Sequence, residues 1–293
     1  MKILVTGGAG FIGSHIAEAY LEERHVVTVV DNQVSRKRAN LIPGVKVVDL
    51  DITSPKLAEL FEQGKFDIVN HHAAQASVSV SVKDPELDAR VNILGVLNLL
   101  QCAVRSKTKK FIFASSGGTV YGATDKMPVT EELPFDASSP YGVAKVATEL
   151  YLRVYAELHH LVYTALRYSN VYGPRQNPHG EAGVVAIFTE KMLAGGKPVI
   201  HGDGKHTRDY VFVGDVVQAN LLALTKCEND AVNIGTGRQT STNQLFARLK
   251  AITGFTGPEE HGPPRAGDLR DNYLAVGKAK RQLGTARVTG GGA

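Results

Sequence analysis

The chain has 293 residues, 43% hydrophobic and 21% charged, the composition of a folded globular chain long enough to bury a core unaided, and not that of a disordered chain, a collagen or a coiled coil. Its 33 Lys+Arg against 29 Asp+Glu leave a net charge of +4, too small and too dispersed to call for nucleic acid or an anionic membrane as partner. Cys102 and Cys227 stand far apart without a CxxC spacing, so neither a disulfide framework nor a zinc site is expected, and a reducing cytoplasm is the expected compartment.

The opening MKILVTGGAGFIG puts Lys2 before an apolar run, as a leader peptide does. Glycines interrupt that run, and Glu18, Glu22 and Glu23 follow where a cleavage region would lie, so the start reads as folded structure. No apolar run approaches the roughly 18 residues of a membrane span. Strands are predicted at 3–5, 26–30, 45–48, 67–70, 111–114 and 163–166, with helices beginning near Phe11, Pro55, Leu87 and Tyr141. Short apolar runs alternating with helix-length segments indicate a parallel sheet covered by helices on both faces.

After Tyr172 the rhythm weakens. Residues 173–180 read as a loop, followed by a helix over 184–193, a strand pair around 199–201 and 210–213, and a helix over 218–224. The predicted architecture is α/β. Residues 1–168, with 200–230 returning to them, form a doubly wound parallel sheet, and 169–199 with 231–293 form a smaller α/β cap over the crevice at the carboxyl ends of the strands.

Gly7, Gly10 and Gly13 make a GxxGxxG between the first strand and first helix, where backbone amides and the helix dipole can face a pyrophosphate. A lone glycine motif is weak, since glycines also serve ordinary turns. Asp31, closing the second strand 21 positions after Gly10, strengthens it, because an acid there can accept hydrogen bonds from the adenosine ribose and repel a 2′-phosphate. NAD is thus the expected cofactor, with Arg36-Lys37-Arg38 just downstream as the opposing signal for NADP. The basic run 107–110 reads as a solvated face. Asp51-Ile52 after the third strand is a candidate adenine contact, although an Asp there also reads as a helix cap.

Tyr141 and Lys145 lie four apart on a helix introduced by Pro140, so they share a face. An ammonium near a phenol favours phenolate and turns a poor base into a useful one. An isolated YxxxK is more often a surface pair, but Ser115-Ser116 ends the strand 111–114 at the sheet edge where a doubly wound fold places its chemistry. A serine there can hydrogen-bond a reacting alcohol and relay its proton. No GxSxG elbow accompanies these serines, and His71-His72 reads as the end of the fourth strand, which counts against a hydrolase triad.

These segments, with others along the chain, resemble the extended short-chain dehydrogenases/reductases that act on nucleotide sugars. The matches are TGGAGFIG (6–13), Asp31-Asn32, HHAAQASV (71–78), Asn92, SSGGTVYG (115–122), SPYGVAK (139–145), RYSNVYGPRQ (167–176), HGDGKHTRDYVFVGDV (201–216), NIGTG (233–237) and RAGDLR (265–270). They cover most of the chain in the family's order and are far more specific together than singly. The resemblance implies a Rossmann-type fold with NAD held by Gly7, Gly10, Phe11, Ile12, Gly13, Asp31, Asn32, Asp51, Ile52, Ala73, Ala74, Gln75, Asn92, Ser115, Tyr141, Lys145 and Tyr168.

Within the family the chain looks most like the 4-epimerases of UDP-galactose and UDP-glucose. Gly117 and Gly118 stand where the sugar dehydratases and decarboxylases carry an acid after the catalytic Ser or Thr. The implied chemistry is removal of the 4-OH proton by Tyr141, directly or through Ser116, with hydride passing to nicotinamide, rotation of the 4-keto sugar and return of the hydride to its other face. Lys145 would lower the tyrosine pKa and hold the nicotinamide ribose. The segment from Ser116 to Tyr121 is a residue longer than in some epimerases, which leaves Ser115 as an alternative to Ser116.

For the UDP handle the resemblance points to Asn170, Val184, Val185, Val199, Ile200, His201, Arg208 and Arg270; two guanidiniums can clamp a diphosphate. Asn272 stands at the family's gate on sugar size, where strict galactose enzymes carry tyrosine, which implies tolerance of N-acetylated UDP-sugars. The chain ends TARVTGGGA where family members continue with an aromatic, a proline and a helix. The helices over 87–106 and 141–159 imply a homodimer. Other UDP-hexoses such as UDP-GlcNAc or UDP-glucuronate remain open as substrates, as do an NAD(P)-dependent dehydrogenase, told apart by stoichiometric use of coenzyme, and a non-catalytic NAD sensor.

Overall fold

The computed structural model describes residues 1–32, 40, 43–179, 183–264 and 269–284. Arg36-Lys37-Arg38, Gly180, the residues 265–268 that open RAGDLR, and the chain end after Gly284 lie outside the described residues.

The first half alternates as predicted: β1 (Lys2–Thr6), α1 (Phe11–Glu22), β2 (Val26–Asp31), β3 (Lys46–Asp49), α2 (Leu57–Gly64) and β4 (Ile68–His71). Next come α3 (Val78–Lys83), α4 (Pro85–Ala89), a π-helical turn (Arg90–Leu94), α5 (Gly95–Arg105), β5 (Lys110–Ser116), α6 (Pro140–His159) and β6 (Val162–Tyr168). The chain continues through β7 (Asn170–Tyr172), α7 (Val184–Leu193), β8 (Val199–His201), β9 (Thr207–Arg208), β10 (Tyr210–Phe212), α8 (Val213–Ala223) and β11 (Asp230–Ile234). It closes with β12 (Thr240–Ser241), α9 (Thr242–Thr253), β13 (Glu260–Gly262), β14 (Asp271–Asn272) and α10 (Gly277–Leu283).

Seven strands form one parallel sheet in the order β11-β6-β5-β4-β1-β2-β3. Successive side chains point to opposite faces. Ile3 and Val5 therefore pack with Ile16, Val216 and Leu283 beneath α1, α8 and α10, while Leu4 packs with Phe61, Leu99 and Leu152 beneath α2, α5 and α6. Burial on both faces is why these strands read as apolar runs. Chain order reverses between β1 and β4, which opens a crevice at their carboxyl ends.

Two expectations are corrected. β11 pairs with β6 inside the main sheet and α10 packs against the same core, so residues assigned to the cap belong to the sheet domain; the wide strand β6 would otherwise leave an apolar edge uncovered. The segments 199–201 and 210–213 do not pair with each other: β8 pairs with β13 and β10 with β7, both in parallel. The absence of an uninterrupted apolar run of membrane-span length is unaffected by the stretch Pro85–Arg105, which is long and apolar enough on average but carries Glu86, Asp88 and Arg90 and packs one face into the core through Val96, Leu99, Leu100 and Ala103.

The cap is built from β12-β9-β14, from β13-β8, and from α7 and α9, which close on Phe188, Met192, Ile200 and Phe246. A Cβ on Gly117 would lie 2.5 Å from Leu274. The bare backbone there lets the cap strand pack on the loop after β5, alongside Val120, Tyr121 and Val129. A second tie joins the loop after β7 to α1, where Arg175 pairs with Glu18 at 2.7 Å and His15 Nε2 lies 2.9 Å from the Pro174 carbonyl.

Candidate active site

The turn from β1 into α1 needs its glycines. Gly7 adopts φ +69°, and a Cβ on Gly13 would lie 2.3 Å from the Gly7 carbonyl, so the amides at the start of α1 stay open to a ligand. Asp31 ends β2 beside this turn, with Oδ2 accepting from the Ala9 amide at 3.0 Å. Asp51 accepts from Asn32 Nδ2 at 2.7 Å and from the Thr53 amide at 2.8 Å. Burial pushes the Asp51 carboxyl up, but the bonds from Thr53 and Asn32 together hold it below the usual carboxylate range. Asp51 thus stands in the cleft wall and turns the chain at Thr53, and it does not cap α2, which begins at Leu57 without a side-chain cap.

Gly7, Gly10, Phe11, Ile12, Gly13, Asp31, Asn32, Asp51, Ile52, Ala73, Ala74, Ser115, Tyr141, Lys145 and Tyr168 all line one cleft of about 500 Å³. It runs from the glycine turn to the carboxyl end of β5. Gln75 and Asn92 stand behind its wall instead: the Gln75 amide donates to Asn92 Oδ1 at 3.0 Å, and both side chains donate to the buried Asp88 at 2.8 Å. His72, read from sequence only as a strand end, lines the cleft. Its Nε2 lies 3.0 Å from the Tyr168 hydroxyl, its Nδ1 has no hydrogen-bond partner, and burial drives its pKa down to about 3, so the ring is neutral.

Ser139 caps α6 by accepting from the Gly142 amide at 3.2 Å, and Pro140 fills the first turn. Such a cap contributes about 1 kcal/mol and fixes where the helix face begins. Lys145 Nζ donates to the Ala114 carbonyl at 2.8 Å and lies 5.4 Å from the Tyr141 ring centroid. Burial lowers Lys145 to about 8, opposed by Asp88 and Glu149. Burial, with Asp88 adding to it, raises the Tyr141 phenol well above its ordinary value. Burial thus opposes the pull expected of the Lys145 ammonium, which sits over the ring and is engaged by a carbonyl.

The two serines separate. Ser115 Oγ donates to Glu149 Oε1 at 2.5 Å, whereas Ser116, the last residue of β5, keeps its hydroxyl out of any hydrogen bond among the described residues and stands just outside the cleft lining.

Of the residues expected at a UDP group, Arg208 and Arg270 stand on neighbouring backbone, because β9 and β14 are paired and the Thr207 amide donates to the Arg270 carbonyl at 3.0 Å, with Arg208 Nη1 donating to the Thr207 carbonyl at 2.7 Å. Arg270 lines a second cleft of about 560 Å³ with Thr124, Met127 and Gln239, and makes an exposed pair with Asp203 at 3.3 Å. Asn170 starts β7 at the base of the cap, and Val184 and Val185 open α7. His201 is exposed with Nδ1 3.1 Å from the Pro263 carbonyl, and Val199 is half-buried beside it. The Ile200 side chain is fully buried against Phe188 and Phe246, leaving its backbone to meet a ligand. Asn272 is buried, with Oδ1 lacking a hydrogen-bond partner.

Sequence reasoning missed Asp209. Fully buried, it accepts from the Thr236 amide at 2.8 Å and the Gly237 amide at 3.0 Å, and so holds the NIGTG loop against the cap strand. A buried carboxylate needs such partners, and an Asp in a motif with no apolar periodicity gives no sign of them.

The glycine turn that a Cβ would fill, a carboxylate at the end of β2, and a cleft ending at a tyrosine–lysine pair suit a dinucleotide with its nicotinamide beside β5 and α6. Residues 3–235 match the model of the NAD-dependent epimerase/dehydratase family. A putative UDP-glucose 4-epimerase of Methanocaldococcus jannaschii is 45% identical over 95% of this chain and 91% of its own. The crystal structure of a Thermotoga maritima UDP-glucose 4-epimerase with UDP-glucose superposes with a TM-score of 0.95 at 50% identity, covering 97% of this chain and 93% of that one. That of a Thermus thermophilus UDP-glucose 4-epimerase in complex with NAD gives 0.91 at 42% identity, covering 99% and 97%. With its family model spanning the sheet from β1 to β11 and its cofactor cleft intact, this chain belongs to the NAD-dependent epimerase/dehydratase family.

Proposed function

We propose that this chain interconverts UDP-galactose and UDP-glucose by inverting C4 of the sugar while NAD lies in the cleft. The observation that carries the reading is the meeting of Tyr141 and Lys145 with the end of β5 at one end of the glycine-turn cleft, and the likeness to proteins named UDP-glucose 4-epimerase supports it. Bound NAD supplies a reversible acceptor for the C4 hydrogen with its electron pair. The amides around Gly10 and Gly13 hold its pyrophosphate, Asp31 and Asn32 the adenosine ribose, and Asp51-Ile52 the adenine side.

Tyr141 takes the 4-OH proton, directly or through Ser116, and returns it to the re-reduced sugar. Lys145 supplies the positive charge that steadies the phenolate against desolvation. Arg208 and Arg270 clamp the diphosphate; the pair of Arg270 with Asp203 is exposed and worth little, so an anion can recruit the guanidinium. Asn170, Val184, Val185 and the backbone of 199–201 hold the nucleoside. Position 117 carries no acid to eliminate water, since Gly117 is pressed against Leu274.

Incubation of the purified protein with UDP-galactose and NAD tests this. UDP-glucose is expected without stoichiometric NADH; stoichiometric NADH would mark a dehydrogenase, and no product would remove the reading. With Asn272 at the gate, UDP-GlcNAc is expected to turn over at more than about a thousandth of that rate.

The same reading includes a cytoplasmic homodimer. Both cysteines are free and buried, which suits a reducing compartment. Val143, Leu150, Tyr151, Val154 and Leu158 make an exposed stripe along α6, beside exposed Leu87 and Leu94, and such a stripe at helical spacing seeks a partner. Sedimentation at micromolar concentration is expected to give a dimer that Val154→Glu splits; a monomeric parent would overturn this.

A further inference from the structure

Among the described ion pairs one has both side chains buried, Glu149 with Arg167, each about 6% exposed. We propose that Glu149, neutralised by Arg167, is a positioning residue that sets the serine-bearing end of β5 against the tyrosine–lysine face of α6. The inference deepens the epimerase reading and rests on it.

Glu149 follows Lys145 by four residues and Tyr141 by eight, so all three share one face of α6. Two successive residues of β5 are tied to that face: the Ala114 carbonyl accepts from Lys145 Nζ at 2.8 Å, and Ser115 Oγ donates to Glu149 Oε1 at 2.5 Å. Ser116 comes next, and its place relative to Tyr141 follows from these two ties. Glu149 is itself held from β6, where Arg167 Nε donates to Oε1 at 3.0 Å and Nη2 to Oε2 at 2.6 Å. Arg167 Nη1 reaches the Tyr121 hydroxyl at 2.7 Å, and Tyr121 donates to Asn233 of β11 at 2.7 Å. The Phe135 and Tyr121 rings lie 4.9 and 5.2 Å from the guanidinium.

A buried ion pair is poor evidence of stabilisation, because desolvation offsets most of the attraction. Its polar geometry is informative here because the carboxylate of Glu149 is shared between Arg167 of β6 and Ser115 of β5, the strand whose end carries the site. The groups facing Lys145 are Asp88 from the α4 side, Glu149 on its own helix, the neutral rings of His71 and His72 at the end of β4, and the Tyr141 phenol. Glu149→Gln removes one of the two anions and leaves Arg167 unpaired, so the Lys145 ammonium loses its proton at lower pH. Catalysis that needs that ammonium then fails earlier on the alkaline side.

The experiment compares parent, Glu149→Gln and Ser115→Ala holoenzymes over pH with UDP-galactose, alongside hydrogen exchange of the segment 113–118. Glu149→Gln is expected to lower kcat by about tenfold or more with KM within about threefold, and to move the alkaline limb down by about half a pH unit or more. Ser115→Ala keeps the ion pair, and is expected to lower kcat about fivefold at unchanged KM and unmoved limb, with faster exchange at 113–118. An alkaline limb unmoved in Glu149→Gln, or a Ser115→Ala kcat within about twofold of the parent, would overturn the proposal. If Glu149→Gln fails to fold, the Ser115→Ala result decides. If the parent does not convert UDP-galactose the epimerase reading falls, while exchange at 113–118 unchanged by Ser115→Ala overturns the positioning role whatever the substrate.

Discussion

Tyr141→Phe is expected to lower turnover by about three orders of magnitude while leaving UDP-sugar affinity within a few fold. The side chain is half-buried and packed under Lys145, whose Nζ lies 5.4 Å from the ring centroid, so phenylalanine fills the same space and keeps the same cation contact. Only the O–H is lost. Because desolvation holds the phenol above its ordinary pKa, the phenolate forms only where positive charge outweighs it; on the same face of α6, Lys145 is engaged by the Ala114 carbonyl and Glu149 by Arg167 and Ser115. His72 is the nearest imidazole lining the cleft, but at a pKa of about 3 it is too weak a base to accept an alcohol proton. Steady-state rates with UDP-galactose, together with binding of the product UDP-glucose by calorimetry, check both halves. A variant retaining a tenth of the parent rate would remove Tyr141 as the essential base.

How much of this is legible in the chain depends on where the partner of each residue lies. β1, β2 and β4 to β6 announce themselves, since strands buried on both faces must be apolar throughout, whereas the part-exposed edge strand β3 shows only Val47 and Val48. β11, DAVNI, is short and opens on Asp230; its membership in the sheet comes from pairing with β6 across more than sixty positions of chain, which no local pattern encodes. The three-residue strands β8 and β10 are locally sound but carry no turn signal to fix a partner, and tertiary packing assigned each a different one. The glycine turn, Asp31 and the Tyr141–Lys145 pair are local motifs, and the cleft brings them together. Glu149 and Asp209 are not local: a carboxylate in a helix or loop reads as a surface charge until Arg167, or the Thr236 and Gly237 amides, are seen beside it. The choice between Ser115 and Ser116 is undecidable from sequence for the same reason, since it turns on the bond from Ser115 to Glu149.

Lys145→Met is expected to stabilise the fold at neutral pH while lowering turnover by about a thousandfold. Burial brings the Lys145 ammonium from its ordinary 10.5 to about 8, so keeping it charged at pH 7 costs the folded state roughly 3 kcal/mol. Methionine matches the stem in length and needs no hydration; what it gives up is the bond to the Ala114 carbonyl, about 1 kcal/mol. Asp88 keeps its donors Gln75 and Asn92, and Glu149 keeps Arg167, so neither carboxylate is stranded. The net gain is roughly 1–2 kcal/mol. Its pH dependence is the sharper test. The folded value lies below the unfolded one, so the cost of the ammonium is fully present below about pH 8 and fades as pH rises through 10.5, above which both states hold the neutral amine. Urea unfolding of parent and variant at pH 7 and pH 10 should therefore show the advantage of the variant shrinking or reversing at the higher pH. A gap that does not change with pH would mean that Lys145 is not held charged against its own desolvation, and the positive charge on which the phenolate of Tyr141 depends would have to be sought elsewhere in the cleft.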